Sequence, residues 1–198
     1  MDQKTKLLAN SISKLLRRGA DRNIRRMINK TNDADVASVL DILYTEARIS
    51  VFQLIPDPDR QAEILSHLNK KFQMEIAHVY DVGKLQKLLG FMDSDDAADL
   101  LGNLPDELSQ NILSGLNKDE LQEVEELMSY PEDSAGGLMS SEFLTIDESF
   151  TVKQSIEKIQ GMEEDLISFY IYVINDSQRL VGVLSLKQLL LSRPQDVL

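Results

Sequence analysis

The chain has 198 residues, 42% hydrophobic and 27% charged, enough for one ordinary domain or two small ones. Cysteine and tryptophan are absent, which excludes a disulfide framework and any thiolate metal or redox centre and fits a reducing cytoplasm. The net charge of −12 is uneven: residues 1–30 hold nine Lys/Arg against two Asp, a net of +7, and the remainder carries −19. An acidic body of this kind disfavours nucleic acid and favours cations or basic partners. The basic head could meet anionic lipid or the acidic body itself, or serve only as a solvated helix face. No apolar run approaches the roughly 18 to 20 residues of a membrane span, and the start, MDQKTKLLAN, does not resemble a secretory signal.

In chain order, residues 6–18 place Leu7, Leu8, Ile12, Leu15 and Leu16 at helical spacing, with Gly19 as the stop. Residues 21–30 predict a second short helix on Ile24, Met27 and Ile28. These make a basic helical segment over 1–32. A repeat then begins, with apolar helix ends at Leu43, Ile55, Leu68, Met92, Leu104, Leu116 and Met128, mostly about twelve residues apart. Between them lie polar starters such as DADVASVLDIL, PDPDRQAEILSHL, DSDDAADLLGNL and PDELSQNILSGL, whose Asp, Asn, Ser and Pro suit helix caps and first turns. Helices this short bury too little alone, so the pattern predicts an α-superhelix of short antiparallel helices over 33–130.

The stretch YPEDSAGGLM, Tyr130 to Met139, leads through a junction at 131–141 from this region to the C-terminal part of the chain. Pro131 ends the helix before it, and Gly136-Gly137 is expected to turn the chain sharply and leave its carbonyls unshielded. Beyond it the period changes. FLTI reads as a strand, 147–160 as a capped helix, ISFYIYVIN as a strongly apolar strand, DSQR as a turn, LVGVLSL as another strand, and KQLLLS as a closing helix stopped near Pro194. The fold class is therefore mainly α with a C-terminal α+β part, a β-α-β-β-α unit over 142–198.

YPEDSAGGLM followed by SSEFLTIDESFTVKQSIEKIQ resembles the junction in the cytosolic part of MgtE-type magnesium transporters. In that family a helical N domain hands over to a pair of CBS domains ahead of a transmembrane pore. The resemblance runs from about Asp33 to the C-terminus and covers one CBS domain of the pair, so it implies a longer protein. It also implies a cytosolic location beside the membrane, homodimerisation through CBS domains, no enzymatic activity, and control of the pore by Mg²⁺.

Two constellations bear on chemistry. In MDSDDAADLL, Asp95 and Asp99 are four apart, so on a helix their carboxylates share one face, and hard oxygen ligands suit Mg²⁺ or Ca²⁺. Acidic residues in a first helical turn also stabilise the helix without any ligand. The resemblance implies that Asp95 and Asp99, with a backbone oxygen of Gly137, take part in Mg²⁺ binding whose other carboxylates lie outside this chain, so that binding here is weak and regulatory. In GVLSLKQ, Gly182 and Ser185 match part of a CBS nucleotide motif, Gly-x-x-Ser/Thr-x-x-Asp. Gln188 stands where the Asp would hold ribose hydroxyls and argues against ATP or AMP in this half. The plainer reading is that Gly182 and Ser185 shape a strand-to-helix turn.

His67 and His78 read as ordinary helix histidines, and no nucleophile–base pair, phosphate loop or HExxH site stands out. The expected function is a cytosolic Mg²⁺ sensor in which ions bridge acidic faces of the N and CBS domains and favour pore closure. The alternative is a stand-alone interaction scaffold that dimerises through its CBS domain.

Overall fold

Helices of eight to eleven residues bury too little surface to stand alone, and the first part of the chain meets this by stacking them. The computed structural model describes residues 3–131, 133–140, 143–162 and 169–198. Contacts divide the chain into two units, Met1–Met139 and Ser140–Leu198. The first holds α1 (Gln3–Arg17), α2 (Asp21–Ile28), α3 (Asp33–Ile42), α4 (Thr45–Gln53), α5 (Pro58–Ser66), α6 (Lys70–Val79), α7 (Val82–Leu89), α8 (Ser94–Gly102), α9 (Asp106–Leu113) and α10 (Lys118–Met128). Helices pack chiefly on the next but one: α1 on α3, α3 on α5, α5 on α7, α7 on α9, α4 on α6 and α8 on α10. This is the stack of short helices expected from the repeat, with one continuous apolar core from Ala9 to Leu127.

Helix ends follow local chemistry. Gly19 takes a left-handed φ of 62°, while its N–H donates to the Leu16 carbonyl and that of Ala20 to the Leu15 carbonyl, a paired closure that ends α1. Asn32, Asn69, Asp81 and Asn117 cap α3, α6, α7 and α10 by accepting a backbone N–H of the first turn. Asp57, Asp93 and Pro105 stand at the starts of α5, α8 and α9 without a side-chain cap bond. The series of apolar helix ends has one gap, and Tyr80, the C-cap of α6, fills it: its half-buried ring packs 5.9 Å from that of Phe52.

The carbonyls at the C-terminal ends of short helices need partners. The fourth residue of α4, α5 and α6 supplies them by reaching back to the preceding helix. Arg48, 3% exposed, donates from Nε to the Leu40 carbonyl (2.8 Å) and from Nη2 to that of Leu43 (2.6 Å). It also pairs with Glu75 and stacks on the Phe72 ring. Gln61 donates to the carbonyls of Phe52 and Ile55, and Gln73 to those of Leu65 and Ser66. At the equivalent position of α9, the buried Ser109 hydroxyl has no hydrogen-bond partner among the described residues.

The second unit holds β1 (Thr145–Asp147), α11 (Val152–Gln160), β2 (Tyr170–Ile174), β3 (Leu180–Ser185) and α12 (Leu186–Leu191), the expected β-α-β-β-α order. β2 is central, parallel to β1 and antiparallel to β3. Two boundaries differ from expectation. Asp147 does not start the helix: its Oδ1 accepts the backbone N–H and hydroxyl of Ser149 in a tight turn, which holds its carboxyl below the usual range. The helix starts later, where Thr151 and Gln154 form a reciprocal capping box. The strand expected from Ile167 begins at Tyr170; Ile167 and Ser168 lie outside the described residues, as do Glu142 at the expected domain start and Glu132 and Ser141 of the junction. A small core of Leu144, Ile146, Val152, Ile159, Ile171 and Leu189 fills the space between sheet and helices.

Candidate functional site

A concave feature of the first unit lies where the turn after α10 folds back onto the helices. Residues Gly136–Leu138 form one turn of 3-10 helix against α10, and a cleft of about 150 Å³ opens between this turn, α8 and the end of α10. Asp95, Ala98, Asp99 and Gly102 line one wall, Leu127, Met128 and Tyr130 another, and Gly136, Gly137 and Met139 the third. The three residues singled out for Mg²⁺ therefore lie on one cleft.

The turn is held by Ser134. Its hydroxyl donates to the Pro131 carbonyl (2.8 Å) and accepts the Gly137 N–H (3.2 Å). Gly136 is needed for a reason other than the conformational freedom expected of it, since its φ is not left-handed. A Cβ there would sit 2.4 Å from the Tyr130 ring, so the ring packs directly on the glycine backbone. Sequence reasoning misses Tyr130 and the role of Gly136 because the close approach exists only once the turn has folded back. A tyrosine six residues before a glycine pair is too general a signal to announce it.

The aspartates of α8 divide between its two sides. Ala97, Ala98, Leu100 and Leu101 are buried, and Asp95 and Asp99, four apart, face the cleft. Asp96 turns the other way. Burial, opposed by a hydrogen bond from Ser66 and reinforced by the charges of Asp95 and Asp93, raises its carboxyl above the ordinary range. Glu63 is raised as well, first by burial, although His67 beside it at 3.0 Å works in the opposite direction. Asp95 and Asp96 lie in the first turn, where a carboxylate helps the helix itself, but Asp99 lies beyond it. Ser94 ties α8 to α10 through a 2.9 Å bond to Glu123.

Among the described residues, no group of three His, Cys, Asp or Glu side chains could hold a metal ion. Two carboxylates across a cleft from a glycine turn are at most a partial donor set. They suit a hard cation that keeps most of its waters.

In the second unit, Ser185 and Gln188 are taken up with each other. The Ser185 N–H and hydroxyl donate to Gln188 Oε1 at 2.7 and 2.8 Å, and Ser185 Oγ accepts the Gln188 N–H. A Cβ on Gly182 would meet Val173 at an ordinary 3.8 Å. Ser185 thus caps α12 at the β3–α12 turn, whereas Gly182, expected at that turn, lies within β3 and pairs with Val173. His67 closes α5 and His78 Nδ1 lies 2.6 Å from the Met74 carbonyl, and the Asn69 cap separates their helices.

The chain is thus a stack of short helices with an acidic cleft at its last turn, followed by a small α+β unit, a two-part architecture. Residues 31–133 match the MgtE intracellular N domain and residues 135–193 the CBS domain. The chain belongs to the MgtE family. It is 32% identical to the magnesium transporter MgtE of Bacillus subtilis over 92% of its own length, and 33% identical to that of Thermus thermophilus over 95%. It spans about two fifths of the length of these relatives, 40% and 42%. A solved structure of the cytosolic domain of the Mg²⁺ channel MgtE in complex with ATP superposes with a TM-score of 0.82 at 32% identity, covering 96% of this chain and 77% of that one. The soluble part of a magnesium transporter, 21% identical, shares the fold at the same score.

Proposed function

We propose that this chain is the Mg²⁺-sensing regulatory part of an MgtE-like transporter and has no catalytic role. The observation that carries the reading is the convergence of Asp95, Asp99 and the Gly136-Gly137 turn on one cleft. Two carboxylates on one helix face repel each other: unit charges about 4 Å apart at an effective dielectric near 20 cost roughly 4 kcal/mol. A hydrated Mg²⁺ at this cleft relieves that repulsion and offers its remaining coordination positions to oxygens from a second acidic surface. In the full-length protein that surface belongs to the CBS region. Ions shared between the two surfaces bind the closed arrangement better than the open one and so shift the population towards a closed pore. With only part of the donor set in this chain, its own affinity for Mg²⁺ is weak.

This reading puts the chain on the cytosolic side of the membrane, with a transmembrane pore domain and a second copy, joined through CBS domains, as partners. Among the described residues no helix is long and apolar enough to cross a membrane. ATP, which the solved relative holds, is not expected to bind through Gly182 and Ser185, because Ser185 and Gln188 already satisfy each other. A thermal shift with ATP that disappears in Ser185→Ala would overturn that part.

The test of the sensor is limited proteolysis of the 198-residue chain across a Mg²⁺ titration. The native chain should gain protection as Mg²⁺ rises, and Asp95→Ala/Asp99→Ala, checked for folding by circular dichroism, should not. Equal behaviour of the two would sink the sensor. It would favour a scaffold that dimerises through its CBS domain, a role to which the exposed apolar strand residues Tyr172, Val181 and Val183 are suited.

A further inference from the structure

The cleft leaves the strongest charge feature of the molecule unused. Between residues 14 and 30 the chain carries Lys14, Arg17, Arg18, Arg22, Arg25, Arg26 and Lys30 against the single acid Asp21. All seven cations are exposed. No ion pair joins any of them to an acid among the described residues, whereas Lys4, earlier on α1, is paired with Asp35.

The placement is ordered. On α2, Ile24 and Ile28 are buried, and Arg22, Arg25 and Arg26 project from the other side, with Lys30 two residues beyond the helix. On α1, Ala9 and Ile12 are buried, and Leu7, Ser11 and Lys14 follow one another at helical spacing on the exposed side, with Arg18 in the turn just beyond. The two helices pack together and are joined by the Gly19 closure, which fixes their mutual angle. A single rigid hairpin therefore presents all seven cations.

We propose that the α1–α2 hairpin is a docking surface for anionic phospholipid headgroups, holding this end of the helical stack against a membrane. The inference rests on the transporter reading for the nearness of a membrane and on the hairpin itself for the charge complementarity. The −19 of residues 31–198 does not forbid it, because screening confines each charge to about 10 Å at ordinary salt, so a headgroup at the hairpin meets the local net of +6 over residues 14–30 and not the distant total. Arginine fits the role, since its planar fork binds phosphate through two parallel hydrogen bonds. The exposed Leu7 adds an apolar contact in line with Lys14.

The test is cosedimentation of the full chain, without Mg²⁺, with vesicles of phosphatidylcholine alone or mixed with phosphatidylglycerol. Binding is expected only to the mixed vesicles and should fade as salt rises. Each cation removed should weaken partitioning about fivefold, so R22Q/R25Q/R26Q should lose roughly a hundredfold while keeping its circular dichroism and melting temperature. Equal partitioning to neutral vesicles, or a triple variant that binds as well as the native chain, overturns the proposal. So does salt-sensitive self-association without vesicles that the triple variant abolishes, which would assign the hairpin to the acidic body of a second copy. Mg²⁺-dependent protease protection measured on the same triple variant should be unchanged, so failure of docking and failure of the sensor are read separately.

Discussion

The two units of this chain solve the same problem with unequal resources. Among the described residues the helical stack gathers thirty buried apolar residues into one core, while the core of the α+β unit holds six and Phe169, Tyr172, Leu180, Val181 and Val183 stay exposed on or beside its sheet. Short units bury a smaller share of their surface and are correspondingly marginal. The stack also places polar groups inside, where Arg48 and Gln73 are buried and bonded. The small unit keeps its capping boxes at the surface. Stability in the first is distributed and internal; in the second it hangs on a few side chains.

The largest expected effect falls on Arg48. Replacing it with alanine strips the Leu40 and Leu43 carbonyls of their donor and leaves Glu75 unpaired, at a cost of about 3–5 kcal/mol read by urea unfolding of the helical stack. Ile171→Ala, in the six-residue core, should cost about 2–5 kcal/mol. The consequence differs: hydrogen exchange should show the second unit opening while the stack stays protected, and a single shared transition would mean that the two are not energetically separate.

A smaller effect, of opposite sign, is expected at Asp96. Its carboxyl is raised in the folded chain, so ionisation opposes folding. The penalty is fully present at neutral pH and is relieved as pH falls through the raised value. Asp96→Asn should therefore raise the melting temperature at pH 7 and lose that advantage in acid; an advantage that persists in acid would point to packing instead. Smallest is Ser109→Ala, which removes a buried hydroxyl without a partner among the described residues and should leave stability unchanged or improve it by about 1 kcal/mol in the same unfolding assay.

The helical stack is legible in the sequence because its caps and apolar spacing are local signals. Asn32, Asn69 and Asn117 cap where a cap is needed, and Leu43, Leu68 and Leu104 are buried where a repeat would bury them. Tyr80 escapes because a series of aliphatics passes over an aromatic. Arg48, Gln61 and Gln73 escape because a polar residue at a repeat position looks like surface. Their shared register, the fourth residue of successive helices, is the available clue. Asp95 and Asp99 can be paired from spacing alone, but that Asp96 faces away is a matter of burial against α5, which no spacing reveals. The start of α11 is misplaced from sequence because Asp147 caps equally well in a turn and at a helix.

The backward-reaching bonds of α4, α5 and α6 each span fewer than ten residues of chain. Each of these three helices is thus fastened to the one just made before it, by bonds that wait for no distant sequence. This part of the stack can assemble in the order of synthesis, each of the three helices closing the end of the last, and contacts of this range favour fast folding.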